Sequence, residues 1–299
     1  MKIVIIGQII FSKKITEFLI EKGHDVDVYD YAKIRLIKEY NFYFLIRKAD
    51  IIYFFNGFSL NNFFRSFYIR YILRKKIFIH FIGSDALKFL NYNHKSNSNW
   101  FKSLKLAHQV FGISTNIVNE LSPYMNIKYL PLCFDDLDYN FHKFPEKFTV
   151  LLYVPPSNPD FYGFQIYKRL IANNLDINFV ILGDDYDNIS NYKNTKIIPI
   201  DYNINMGNVY NNCSVLIRLT EHDGLSNMVL ESLARGRHVI WTSKFNYCRY
   251  SFRDLESVQY EIDYLKNIPD NKNAISWIKE NYNKDRLLGK LENYLCNYK

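Results

Sequence analysis

The sequence predicts an α/β chain with two parallel-sheet domains in tandem, and three observations lead there. Residues 2–7, KIVIIG, are an almost unbroken β-branched run that ends on glycine; a helix-like segment and an alternating strand follow. Strand and helix signals then alternate as far as residue 135 and start again at 148. Between these halves, DLDYNFHKFPEK (136–147) has neither period and contains a proline, which marks a linker. A strand joined to the next by a helix lies parallel to it, so the alternation itself specifies the sheets.

In the first half, KKITEFLIEKG (13–23) reads as a helix closed by Gly23, and DVDVYDY (25–31) as a strand. ADIIYFFNG (49–57) and KKIFIHFIGSD (75–85) are the next strands. A helix over about 99–109 leads into the short strand QVFGIS (109–114), then TNIVNELSPYM (115–125) is helical and IKYLPLCFD (127–135) leads out. In the second half, FTVLLYVPP (148–156), INFVILGDD (177–185), KIIPI (196–200), CSVLIRLT (213–220) and HVIWT (238–242) read as strands. Helices fall between them around 162–174, 205–212 and 226–235. The tail, 274–295, has the period of one or two amphipathic helices.

Composition narrows the class. Apolar residues make up 48% of the 299, enough for a sizeable core and against disorder. The most apolar stretch, 41–58, is interrupted by Arg47, Lys48 and Asp50, so no membrane span is expected. The N-terminus has no small-residue cleavage site and reads as a first strand. Cys133, Cys213, Cys248 and Cys296 lie far apart without metal spacing, which predicts reduced thiols and no metal. A net charge of +8 admits nucleic acid, an anionic membrane or an anionic substrate. No nucleic-acid reader motif accompanies it, so nucleic acid is not expected as a partner. Only Gly7 stands where a glycine-rich dinucleotide fingerprint would need three glycines.

The segment EHDGLSNMVLESLARGRHVIW (221–241) carries the chemistry. A strand delivers the chain to a loop holding Asp223 and Gly224. Ser226 stands as N-cap, and the helix from Asn227 stops at Gly236. The first turn of such a helix presents free amides and the positive dipole end, a site for phosphate or diphosphate. Glu231 lies one turn beyond Asn227 in a mostly apolar helix, where a carboxylate is costly unless partnered. The two hydroxyls of a ribose would satisfy it.

These residues resemble retaining glycosyltransferases of the GT-B fold. Their signature reads E-G-F-G-L-x-x-x-E-A-x-A-x-G-x-P-V-I, and this chain has D-G-L-S-N-M-V-L-E-S-L-A-R-G-R-H-V-I. The resemblance implies that Glu231 holds the nucleotide ribose and that Asp223, in place of the usual glutamate, contacts the donor sugar. Gly224, Leu225, Ser226 and Asn227 would bind the diphosphate. His80, with Gly83-Ser84-Asp85 behind it, resembles the family's histidine and G-S-D facing the transferred sugar or acceptor. The alternative is a core histidine, with Asp85 capping the next helix. GISTNIVNEL (112–121) and YLPLCFD (129–135) resemble the family's last helix and its exit into the linker.

One departure stands out. The family presents an arginine and a lysine after the first strand of the second domain, and LLYVPPSNPDFYGFQIYKR has no basic residue before Lys168. Arg218, in the strand feeding Asp223, is the expected substitute; the alternatives are reliance on the helix dipole, with Arg218 at the surface, or a degenerate donor site. GDDYD (183–187) and FDDLD (134–138) contain Asp-x-Asp, but in loops where Asp is ordinary, and the fold needs no metal. NNFFRSFYIRYILRKK (61–76) combines aromatics with Arg65, Arg70, Arg74, Lys75 and Lys76, either a face for an anionic membrane or a core helix with a basic edge.

The expectation is thus α/β with two Rossmann-like parallel-sheet domains facing a cleft, the GT-B fold. Its parts are an acceptor-side domain (1–140), a nucleotide-sugar domain (147–275) and a helical tail (276–299) packing back on the first domain. The activity expected is metal-independent transfer of a sugar, with retention, from a nucleotide-diphosphate donor to a glycan or lipid-linked acceptor in surface polysaccharide or glycolipid synthesis. No cofactor is expected beyond that donor substrate. The location expected is cytoplasmic, at the inner face of the membrane. The rivals are a non-catalytic GT-B glycan-binding or partner module and a GT-B nucleotide-sugar epimerase.

Overall fold

The computed structural model describes residues 1–30, 39–56, 63–93, 98–201 and 204–297. They form two compact units, Met1–Asp136 with Lys284–Lys299, and Leu137–Asn283.

In the first unit the strands are β1 (Lys2–Gly7), β2 (Asp25–Asp30), β3 (Ile51–Phe55), β4 (Lys76–Phe81), β5 (Gln109–Gly112) and β6 (Ile127–Tyr129). They make one six-stranded sheet in the order β2-β1-β3-β4-β5-β6, parallel throughout. All five residues of β3, IIYFF, are buried. A parallel sheet with helices on both faces demands this, which is why its strands read as continuous apolar runs. The helices are α1 (Ile9–Glu21), α2 (Glu39–Ile46), α3 (Phe63–Phe67), α4 (Ser84–Lys88), α5 (Asn99–Leu104) and α6 (Thr115–Leu121). Helix α1 begins four residues before the periodic stretch at 13, because the apolar IIF that precedes it is helical and not part of β1. After α3 the chain widens into a π-helical turn, Tyr68–Ile72, in which Leu73 N–H donates to the Tyr68 carbonyl. Positions 31, 57 and 61–62 of the expected elements lie outside the described residues.

The second unit holds β7 (Thr149–Val154), α7 (Phe164–Asn173), β8 (Asn178–Gly183), β9 (Thr195–Ile198), α8 (Met206–Asn211), β10 (Val215–Arg218), α9 (Asn227–Ala234), β11 (His238–Trp241) and β12 (Arg249–Tyr250). It continues with α10 (Leu255–Leu265) and α11 (Lys272–Asn281). Its sheet is also parallel and six-stranded, ordered β12-β11-β10-β7-β8-β9. The chain winds outward from β7 to β9, then returns to the other side of β7 with β10. The strand order therefore reverses between β7 and β10, and in such sheets ligands bind at the carboxyl ends of the two strands flanking that reversal.

The stretch read as a linker is packed onto the second unit. The guanidinium of Arg237 donates to the His142 carbonyl and, at 3.0 Å, to the Cys213 carbonyl, while Phe144 lies edge-on to His238. The tail divides: α11 belongs to the second unit, whereas α12 (Lys284–Cys296) belongs to the first, where it packs on α1 and Lys284 Nζ lies 2.7 Å from Asp136. Among the described residues no helix is long and apolar enough to cross a membrane.

Candidate functional site

Strand β10 is buried at Val215, Leu216 and Ile217, and Arg218 ends it at the reversal point. The loop beyond is fixed by bonds from every side. The Tyr167 hydroxyl donates to the Ile217 carbonyl at 3.2 Å and accepts from Leu219 N–H at 3.0 Å. Arg253 Nε donates to the Leu219 carbonyl at 2.9 Å, and Thr242 Oγ1 to that of Thr220 at 2.8 Å. Gly163, just before α7, has φ +90°, and a Cβ there would stand 2.7 Å from the Leu219 Cβ. Only glycine lets the loops after β7 and β10 approach this closely.

Within this frame Arg218 and Asp223 form a two-pronged ion pair. Nε of Arg218 donates to one Asp223 oxygen and Nη2 reaches the other at 3.3 Å; the side chains are only 12% and 13% exposed. Burial alone would lower the arginine pKa, and the charge and hydrogen bonds of Asp223 more than offset it, so the net shift is upward. Asp223 also accepts from Thr220 Oγ1 at 3.2 Å and from Gly224 N–H at 3.1 Å. The guanidinium lies 5.8 Å from the Tyr153 ring and 5.9 Å from that of Tyr162, in reach of cation–π attraction. Its Nη1 faces Met228 Sδ at 4.0 Å, in the first turn of α9. Asp223 thus fixes the plane of a cation beside the helix start, a connection that the sequence assigned to neither residue.

Ser226 occupies the N-cap position in extended conformation, but its hydroxyl accepts no bond from the helix amides. Its carbonyl accepts from Val229 and Leu230, and the amides of Asn227 and Met228 precede any helical acceptor. These amides, the dipole and Arg218 all favour an anion at one place. Glu231, one turn on, is half-buried. Its Oε2 accepts from the Tyr210 hydroxyl at 2.5 Å, and Arg235 Nη1 donates to its carbonyl at 3.2 Å. Burial first, then the charge of Glu231, keeps Tyr210 protonated and so a donor. The carboxylate therefore has a protein partner that the sequence reading left out. Tyr210 comes from α8, 21 residues away, and no local pattern links the two. No local pattern links Tyr153 or Tyr162 to Arg218 either.

His80 and Asp85 lie in the first unit. His80 is 0% exposed in β4, between Phe55 and Phe111, with Nδ1 2.7 Å from the Tyr53 hydroxyl. Burial lowers its pKa to about 3, against a smaller opposing effect of the Leu130 backbone. Asp85 is 1% exposed and accepts from the N–H groups of Ile82, Gly83 and Ala86 at 3.0, 2.8 and 3.1 Å. Both side chains are thus held inside the unit, His80 in β4 and Asp85 at the start of α4. The unfolded chain protonates His80 below about pH 6.5 while the folded chain does not until about pH 3. The stability that this histidine contributes is therefore present above pH 6.5 and falls with pH, by about 3 kcal/mol between pH 7 and 4. Denaturant midpoints at pH 7, 5 and 4 should show that decline, and the non-titrating His80→Gln should flatten it; an identical slope in the variant would contradict the assignment.

In the two Asp-x-Asp stretches, Asp185 accepts from the Ser190 amide at 2.9 Å and Asp187 pairs with Lys168 at 2.9 Å, while Asp136 pairs with Lys284 at 2.7 Å and Asp138 lies 3.3 Å from His142. Around 63–76, Phe64, Phe67, Tyr68, Tyr71 and Ile72 are exposed. Two of the five basic groups there turn inward, Arg65 over the Phe42 ring at 4.4 Å and Arg70 onto His108 at 2.9 Å.

The sequence matches no family model and no curated protein. Solved structures resemble it in fold. Sucrose-phosphate synthase from Thermosynechococcus elongatus aligns over 100% of both chains, with TM-score 0.78 and 11% identity. An alpha,alpha-trehalose-phosphate synthase (UDP-forming) from Burkholderia vietnamiensis aligns over 99% of both at TM-score 0.69 and 9% identity. The lipopolysaccharide outer core galactosyltransferase WaaB aligns over 99% of this chain and 96% of its own at 0.59 and 14%. The fold of this chain is that of the GT-B glycosyltransferases, two Rossmann-like parallel-sheet units.

Proposed function

We propose that this GT-B chain is a glycosyltransferase that takes a sugar from a nucleoside-diphosphate donor held by its second unit. One observation carries the reading: the end of β10, at the strand-order reversal, brings together the Arg218–Asp223 pair, the first-turn amides of α9 and the half-buried Glu231. Glu231, oriented by Tyr210, binds the ribose diol. The amides of Asn227 and Met228 and the guanidinium of Arg218 bind the diphosphate. Arg218 then does the work of the missing basic pair after β7. As the bond to the sugar breaks, negative charge grows on the diphosphate, and fixed amide dipoles with an oriented cation stabilise it without reorganisation. Asp223 keeps the guanidinium aimed and borders the sugar. Transfer proceeds with retention and without a metal, to a glycan or lipid-linked acceptor. The exposed Phe64, Phe67, Tyr71 and Ile72 with Arg74 let the first unit rest on an anionic membrane surface.

A screen of nucleotide sugars in the presence of EDTA tests this, with released nucleoside diphosphate as the readout. One donor should give slow release that an added acceptor accelerates, and the product should keep the donor's anomeric configuration. Interconversion of the sugar on an intact nucleotide would instead identify an epimerase. Binding without release for any acceptor would identify a non-catalytic module.

A further inference from the structure

We infer that His24, Glu292 and Cys296 form a site for a divalent cation of the zinc class, clipping α12 to the turn that precedes β2. No local spacing in the sequence marks the group, because His24 lies 268 residues from Glu292. Both belong to the first unit, so folding of that unit alone assembles the set. Glu292 and Cys296 share one face of α12, one turn apart. His24 is anchored by its own N–H, which donates to the Leu19 carbonyl at 3.0 Å.

The geometry fits a metal. His24 Nε2 lies 3.2 Å from Glu292 Oε1 and 3.7 Å from Cys296 Sγ, and the three ligand atoms fall within 4.8 Å of one another. A tetrahedral zinc with bonds of about 2.0–2.1 Å to N and O and about 2.3 Å to S has edges of roughly 3.3 Å for N–O and 3.6 Å for N–S. Hydrogen bonding alone serves the cluster less well. One imidazole nitrogen can donate to the carboxylate or accept from the thiol, and cannot do both at once. A cation accepts lone pairs from all three together. A mixed nitrogen, oxygen and sulfur set selects zinc-like ions over calcium or magnesium. All three residues are partly exposed, so an ion can enter from solvent and water can complete the coordination.

Cobalt(II) titrated into the EDTA-treated full chain tests this independently of any sugar chemistry. One equivalent should produce the near-ultraviolet thiolate-to-cobalt band with the strong visible bands of a tetrahedral centre, and zinc should displace it. Cys296→Ser and His24→Ala should lose the thiolate band, and Glu292→Gln should weaken binding by more than about tenfold. Zinc should raise the melting temperature of the wild type more than that of Glu292→Gln at the same concentration, a near-isosteric change that leaves the helix intact. No thiolate band, one that survives Cys296→Ser, or an equal zinc shift in Glu292→Gln would overturn the assignment.

Discussion

Glu231→Ala is expected to abolish nucleoside diphosphate binding while the second unit stays folded. In the wild type the carboxylate is half-buried on α9 with Tyr210 on one oxygen. A charge-assisted hydrogen bond contributes about 1.5–3 kcal/mol, so losing two to a ribose weakens binding by at least about 3 kcal/mol, near 150-fold. The substitution also strands the buried Tyr210 hydroxyl, at a cost of about 1–3 kcal/mol of stability. Glu231→Gln separates the two effects: it keeps an acceptor for Tyr210 but gives up the charge, so its melting temperature should approach that of the wild type while affinity falls by about tenfold. Equilibrium dialysis with melting curves on all three proteins checks this. An alanine variant with undiminished affinity would remove the ribose from this residue.

Arg218→Ala should be the most damaging single change at the site. It leaves Asp223, 13% exposed, to the Thr220 hydroxyl and the Gly224 amide among the described residues. Removing one partner of a buried pair costs about 3–5 kcal/mol. Transfer should also fall by about 10²–10³-fold, the scale seen when one donor to a developing charge is lost. Arg218→Lys keeps the charge but not the two-pronged fork. The pairwise replacement Arg218→Met with Asp223→Leu removes both charges, so much of the stability should return while transfer stays lost. Denaturant unfolding and donor turnover read the two consequences separately. A double variant that still transferred sugar would exclude Arg218 from the chemistry.

Much of the fold is legible because buried parallel strands need unbroken apolar runs, and IVII in β1, IIYFF in β3 and VLI in β10 are such runs. The loop from Asp223 through Glu231 is legible for the same local reason, since a turn glycine, a cap position and a closing glycine are fixed by neighbours in sequence. What depends on distant partners is not. The sequence supplies Glu231 but not Tyr210, and Arg218 but not its ion pair with Asp223. Periodicity cannot tell that IIF after β1 begins a helix, nor that 136–147 packs against β11 through Arg237 and His238. His80 and Asp85 show the limit most sharply. A histidine in an aromatic strand and an aspartate after glycine do not reveal in sequence that one contacts Tyr53 and the other three backbone amides.

The most direct measurement is a calorimetric titration of the wild-type chain with uridine, guanosine, adenosine and thymidine diphosphates. One of them should bind one-to-one, more weakly as salt rises, because an anion meets a fixed cation and a helix start. If none binds even at millimolar concentration, the exit of β10 is not a donor site and the reading built on Glu231, Arg218 and α9 fails.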